Sequence, residues 1–287
     1  MVYICVNLYI FVNQIKKMKE IFSKRLKSAR MQAALSQDQL VEKMGNIVSK
    51  NAISKYEKGE MMADGGILLA LSKALNVKPD YFFRPFTVQI EKIEFRKKKK
   101  LSVKDEKAIR QTVTDVLERY LEVEQFLNIE SAFTNPIAEY KIASFADIDH
   151  SALALRSKWE LGLNALPNVI DLLEDKEIKV IEIDAPNEFD GFSGWADDRI
   201  PIVVINKNFN IERKRLTALH ELGHLLMVSD EKIDDKEKER SCYQFAGAML
   251  LPGSTLKSEI GESRSHISVS ELIAIKETYG ISIQAIM

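Results

Sequence analysis

Two histidines four residues apart, with a glutamate directly after the first, stand in His220-Glu221-Leu222-Gly223-His224. The surrounding run, 213–227, has helical periodicity, and on a helix residues i and i+4 lie one above the other on the same face. Both imidazoles can then reach one tetrahedral zinc ion. Glu221 is placed to take a proton from a water on that metal. The chain has only four histidines, so this pentapeptide holds half of them. A hydrolytic zinc site needs a third protein ligand and keeps its fourth position open for water. Downstream, 237–252 carries Cys242, Phe245, Ala246, Met249 and Leu250 at helical spacing. It stops at Pro252, which cannot continue a helix. A short acidic loop, 229–236, would turn this second helix back against the first. A carboxylate early in it then faces the histidines, and Glu237 and Glu239 both stand there.

The segment Leu216-Thr217-Ala218-Leu219-His220-Glu221-Leu222-Gly223-His224, followed by Glu239, Cys242, Phe245-Ala246-Gly247-Ala248, Leu250 and Pro252, resembles the ImmA/IrrE family of metallopeptidases. Gly191-Phe192-Ser193-Gly194-Trp195 and Pro201-Ile202-Val203-Val204-Ile205-Asn206 resemble the strand pair that precedes the active-site helix in that family. The likeness spans roughly residues 150 to 260. It implies Glu239 as the third zinc ligand beside His220 and His224, and Glu221 as the catalytic base; Glu237 stands beside it as the alternative ligand. One position departs from the pattern. Many members carry Asn where this chain has Tyr243, on the same helical face as Glu239. A residue there can orient a histidine ligand from behind, and a tyrosine hydroxyl would do so over a longer reach. Cys242 reads as a small core residue rather than a ligand. His150 and His266 read as ordinary surface or loop residues. Tyr243, Tyr279 and Arg199 are the candidates for stabilising an oxyanion.

A second block, 19–85, reads as five short helices. Ser36 is a candidate N-cap with Gln39 as its capping-box partner. Gly45 is a helix stop. Ser49 caps the next helix, 50–57, and Gly59 ends it. Leu35-Ser36-Gln37, Leu40, Ile53-Ser54-Lys55-Tyr56-Glu57, Gly59 and Leu71, Ala74-Leu75, Val77 resemble the Xre-type helix-turn-helix domain. The resemblance implies double-stranded DNA as a partner, a third helix in the major groove, and a homodimer on two half-sites. The candidate contacts are Ser49, Lys50, Asn51, Ser54 and Lys55 around the third helix. Gln37 stands at the start of the second, where a helix N-terminus favours a phosphate. Residues 19–85 carry 12 basic against 7 acidic side chains, whereas 86–287 carry 27 against 35. The positive end is the one suited to a phosphate backbone.

At 287 residues and 46% apolar composition, two packed domains are expected. Cys5 and Cys242 give no disulfide framework, which points to the cytoplasm. Residues 2–12 are nearly all apolar. The run is shorter than the roughly 20 residues that span a bilayer, and it lacks the flanks of a signal peptide. No stable membrane association is expected. Three readings of 1–18 stand: a start assigned too early, with Met18 the true one; an apolar strand; or a weak surface anchor. Between the blocks, 86–143 reads as a linker. It holds a candidate strand (87–95), a basic run (96–100) and a long amphipathic helix (103–128) that packs on the second domain or forms a dimer seam. The end of the chain, 280–287, begins a helix without a stop signal, and the C-terminus is expected to be truncated.

The expected organisation is an N-terminal extension (1–18), an all-α helix-turn-helix domain (19–85), the linker (86–143) and an α+β zincin-like metallopeptidase domain (144–287). The expected activity is zinc-dependent cleavage of a repressor or partner protein in stress, mobile-element or toxin–antitoxin control, joined to transcriptional regulation. The alternative is a non-catalytic regulator that uses the peptidase fold as a sensor or scaffold. In either case an edge strand of the small sheet could hold an extended peptide by strand addition.

Overall fold

No glycine or proline occurs before Gly45, so nothing interrupts a helix that starts near the N-terminus. The computed structural model describes residues 2–86, 90–95, 101–130, 132–142, 144–229 and 234–287. Its first element, α1, runs Val2–Gln32 without a break. The strand reading of 1–18 is thereby corrected: the polar stretch 13–19 contains no breaker, and the helix of the next block extends back through it. The basic run 96–100 lies outside the described residues.

Two compact units form. In the first, α1 is followed by α2 (Gln37–Lys43), α3 (Lys50–Glu57), α4 (Gly65–Leu75) and a 3₁₀ turn (Pro79–Phe83). Ser36 caps α2 through a complete capping box with Gln39. Gly45 takes φ +74, a left-handed conformation that glycine adopts at little cost, and turns the chain from α2 into α3. Ser49 accepts the Ala52 amide hydrogen and starts α3. Phe22, Leu26, Leu40, Ile53, Leu71 and Phe82 fill the core. The long helix α5 (Val103–Phe126) gives its first twenty residues, through Glu122, to this unit. A buried ion pair holds it there: Arg25 of α1 lies 2.7 Å from Glu118. Arg25 also donates to the carbonyls of Arg84 and Pro85 and stacks over the Phe86 ring. The stretch read as a linker is thus divided between the units.

The second unit is built on a four-stranded sheet of order β1-β4-β5-β3. Its strands are β1 (Ile90–Phe95), β3 (Lys179–Ile183), β4 (Gly191–Ala196) and β5 (Ile200–Asn206); β2 (Lys141–Ile142) pairs separately with β6 (Val228–Ser229). Every residue of β5 is buried, as its unbroken apolar run requires of a strand covered on both faces. β3 runs parallel to β5 and β4 antiparallel to it. β4 is not an edge. Its outer side pairs antiparallel with β1, with Glu94 opposite Ser193 and Phe95 opposite Phe192. The helices are α6 (Phe145–Lys158), α7 (Val169–Asp175), α8 (Ile211–Leu226), α9 (Asp235–Leu250), α10 (Gly253–Ile260), α11 (Val269–Tyr279) and α12 (Ile283–Ile286). Leu219, Leu222 and Leu226 of α8 meet Phe245, Met249 and Leu250 of α9 in one core. Among the described residues, no helix is long and apolar enough to cross a membrane.

Candidate functional site

The N-terminal half of α8 is fixed before the helix offers any side chain to chemistry. Asn210 caps its N-terminus. Arg215 is buried and donates to the carbonyls of Leu166, Pro167 and Tyr279. Gly191 brings β4 hard against the helix: an added Cβ there would meet the Val204 carbonyl oxygen at 2.6 Å and Thr217 Cγ2 at 2.9 Å. Gly223 does the same for α9, since an added Cβ would meet Cα, Cβ and Sγ of Cys242, each at 3.3 Å. These close approaches set the distance from α8 to the side chains around it.

One consequence is a convergent donor set. His220 and His224 Nε2 lie 3.1 Å apart. Glu239 of α9 places one carboxylate oxygen 3.4 Å from His220 Nε2 and the other 3.3 Å from His224 Nε2. A tetrahedral ion bound at about 2.0–2.1 Å holds its ligands about 3.3 Å apart, so two imidazoles and a carboxylate at these separations fit such an ion. The ligand atoms all lie within 4.8 Å of one another. Glu237, the alternative, is exposed and stands outside this group, with its amide on the Asp234 cap. Burial opposes charge on His224. The Cys242 thiol, the Glu239 carboxylate and Glu221 outweigh it and push the His224 pKa up to about 11. Cys242 is itself buried, and burial raises its thiol pKa.

Glu221 is buried on the same helix, and Ser193 of β4 donates to its Oε2 at 3.0 Å. Tyr243 lays its ring against His220, with centroids 4.3 Å apart. The other two oxyanion candidates lie elsewhere: the Tyr279 hydroxyl donates to Glu259 at 2.7 Å, and Arg199 is exposed in the turn between β4 and β5. His150 and His266 are exposed. Sequence reasoning gave no role to Ser193 or to the two close-packing glycines. Gly191 and Ser193 belong to the quoted strand motif, which was the only signal available for them.

In the first unit, Lys50, Asn51, Ser54 and Lys55 share α3, and the Ser49 hydroxyl is engaged as its cap. Asn51 and Lys55 are exposed, and Ser54 is half-buried. Lys50 pairs with Asp38 at 2.6 Å on the surface. The Gln37 amide donates to Glu57 at 2.8 Å, and Arg30 holds the same carboxylate with two nitrogens. This Arg30–Glu57–Gln37 chain links the ends of α1, α2 and α3. In the sequence, Glu57 stands out only as part of the Ile53–Gly59 motif.

Residues 26–82 match the family model described as Helix-turn-helix, and residues 173–287 match the one described as IrrE N-terminal-like domain. No curated protein matches the chain. With the helical unit first and the α+β unit after it, the chain joins an Xre-type helix-turn-helix domain, of a DNA-binding kind, to a metallopeptidase-like domain of the ImmA/IrrE family.

Proposed function

We propose that this chain is a DNA-binding regulator with a zinc-dependent peptidase site that cleaves a repressor or another protein partner, in stress, mobile-element or toxin–antitoxin control. The observation that carries the reading is the convergence of His220, His224 and Glu239 beside a buried glutamate. Zinc is favoured by a set of two imidazoles and one carboxylate. When bound, the ion would supply Lewis acidity and a nucleophile at neutral pH. Glu221 accepts the proton of the attacking water and returns it to the leaving amine. Ser193 fixes the rotamer of Glu221 through its bond to Oε2. Tyr243, packed on His220, limits the swing of that imidazole. In the first unit, Asn51 and Lys55 offer exposed donors to bases and phosphates. Lys50, Ser54, Ser49 and Gln37 complete the contact surface, and a homodimer reads two half-sites.

Purified wild type is expected to hold one zinc ion per chain, and Glu239→Ala to lose it or bind it far more weakly. A wild type that takes up no metal when zinc is supplied would sink the peptidase reading. One observation favours the scaffold alternative: the strand slot beside β4 is already filled by β1. A zinc-loaded protein that hydrolyses no partner under any condition would leave that alternative standing.

A further inference from the structure

Helix α5 begins outside both segments that match a family, yet its first turns stand against the helix-turn-helix fold. Between them and the end of α1 lies a groove of about 650 Å³. Lys27 and Arg30 of α1 line one side, Lys104 and Lys107 of α5 the other, and Leu35 closes the end next to α2. Among the described residues, no carboxylate lines it. Lys27, Lys104 and Lys107 are exposed, and among the described residues no ion pair holds any of the three. Arg30 differs, since it is committed to Glu57.

Lys104 and Lys107 stand on the first two turns of α5, where the helix carries its positive end. Cations there add to the local field instead of cancelling it. Asp105 and Glu106 share the first turn and offset part of this field; Asp105 accepts the Ser102 hydroxyl hydrogen at the cap. The floor of the groove is aliphatic, with Met31, Ala34, Leu35 and Val103, and its cations stand along an open rim. A small-molecule pocket would bring buried polar groups together around its ligand; exposed lysines along a groove suit a phosphate backbone running past. The groove also lies next to α2, whose N-terminus holds the proposed contact Gln37. Leu35 sits two residues before α2, and the Arg30–Glu57–Gln37 chain ties the groove wall to α2 and α3.

We propose that the groove between α1 and the start of α5 is a second phosphate-binding surface, which lengthens the DNA footprint of the helix-turn-helix domain through Lys27, Lys104 and Lys107. This rests on the DNA-binding reading above. It assigns α5 a role in binding that the helix-turn-helix motif alone does not contain.

The test needs no operator. Affinity of the full chain for a short random-sequence duplex is measured across a range of salt concentrations, for wild type and for Lys27→Gln/Lys104→Gln/Lys107→Gln. Each lost phosphate contact lowers the slope of log affinity against log salt by about 0.9. The triple variant is expected to lose about 2 to 3 in slope and to weaken equally on all sequences. The Lys→Arg triple variant is expected to keep the wild-type slope. If the glutamine triple variant melts below wild type, the three single variants replace it, each expected to lose about 0.9 in slope. Binding by wild type with an unchanged slope in these variants overturns the second surface and leaves the DNA reading intact. That includes the case in which inorganic phosphate or a nucleotide occupies the groove instead. A wild type that binds no duplex overturns both.

Discussion

At the scale of single residues, the candidate metal centre depends on what stands behind its ligands. His220 is buried, and the Tyr243 ring packs against it at a tilt of 50°. A histidine ligand whose supporting residue is removed typically loses about 10–100-fold in metal affinity. Tyr243→Ala is therefore expected to weaken zinc binding by about that factor. Tyr243→Phe keeps the ring contact with His220 and is expected to weaken zinc binding less than Tyr243→Ala does. Competition with a chromogenic chelator measures both. Equal weakening in the two variants would mean that the hydroxyl, not the ring, supports the site. The two histidines and Glu221 could be read from spacing, because helical periodicity is local and fixes which residues share a face; Glu239, on another helix, rested on the family resemblance, since spacing left Glu237 open beside it. Ser193 could not be read from spacing. Its bond to Glu221 crosses 28 positions and depends on β4 lying against α8, which no local pattern encodes.

At the scale of elements, helices and strands were legible and their partners were not. Capping residues such as Ser36, Ser49 and Gly45 mark helix ends through bonds to their own neighbours. The apolar face of α5 announced a helix but left open what it packs against. The structure answers with Arg25 and Glu118, buried together between α1 and α5. Removing one member of a buried pair strands the other charge, at about 3–5 kcal/mol. Glu118→Ala is expected to destabilise the first unit by about that amount in urea unfolding. Arg25→Met with Glu118→Leu, which removes both charges, is expected to cost far less. A loss in the double variant as large as in the single one would show that the backbone bonds of Arg25 matter more than its ion pair. The alternation around 90–95 likewise announced a strand, whereas its pairing with β4 is a tertiary result. An extended substrate added beside Ser193 would need the edge that β1 holds. Glu94→Pro together with Phe95→Pro leaves no N–H at two successive positions of β1, one of which must face β4, and so disfavours the pairing. It is expected to raise hydrolysis of an unstructured protein while zinc content stays constant. Unchanged turnover at equal zinc would show that β1 does not compete with substrate.

At the scale of the whole molecule, the chain divides chemistry as it divides its cores. Phe22, Leu26 and Leu71 pack in a cluster separate from the one that surrounds α8 and α9. Basic charge collects in 19–85 and acidic charge in the remainder. Each unit therefore has its own apolar interior to stabilise it, and a substitution at the surface of one leaves the other's packing untouched. This separation makes the assignment of roles testable by two variants that must fail in opposite ways. Glu221→Gln keeps the size of the side chain and all three candidate ligands but removes the base. It is expected to bind zinc and duplex DNA as wild type and to lose cleavage by at least about 100-fold, the lower range for a general base. Lys50→Ala with Asn51→Ala removes two donors from the start of α3, outside the buried positions of that helix. It is expected to lose DNA binding and keep zinc at wild-type stoichiometry. Zinc analysis, a duplex-binding titration and a cleavage assay on each variant decide the matter. A Glu221→Gln protein that no longer binds DNA, or an α3 variant that no longer holds zinc, would mean that the two activities are not carried by separate units.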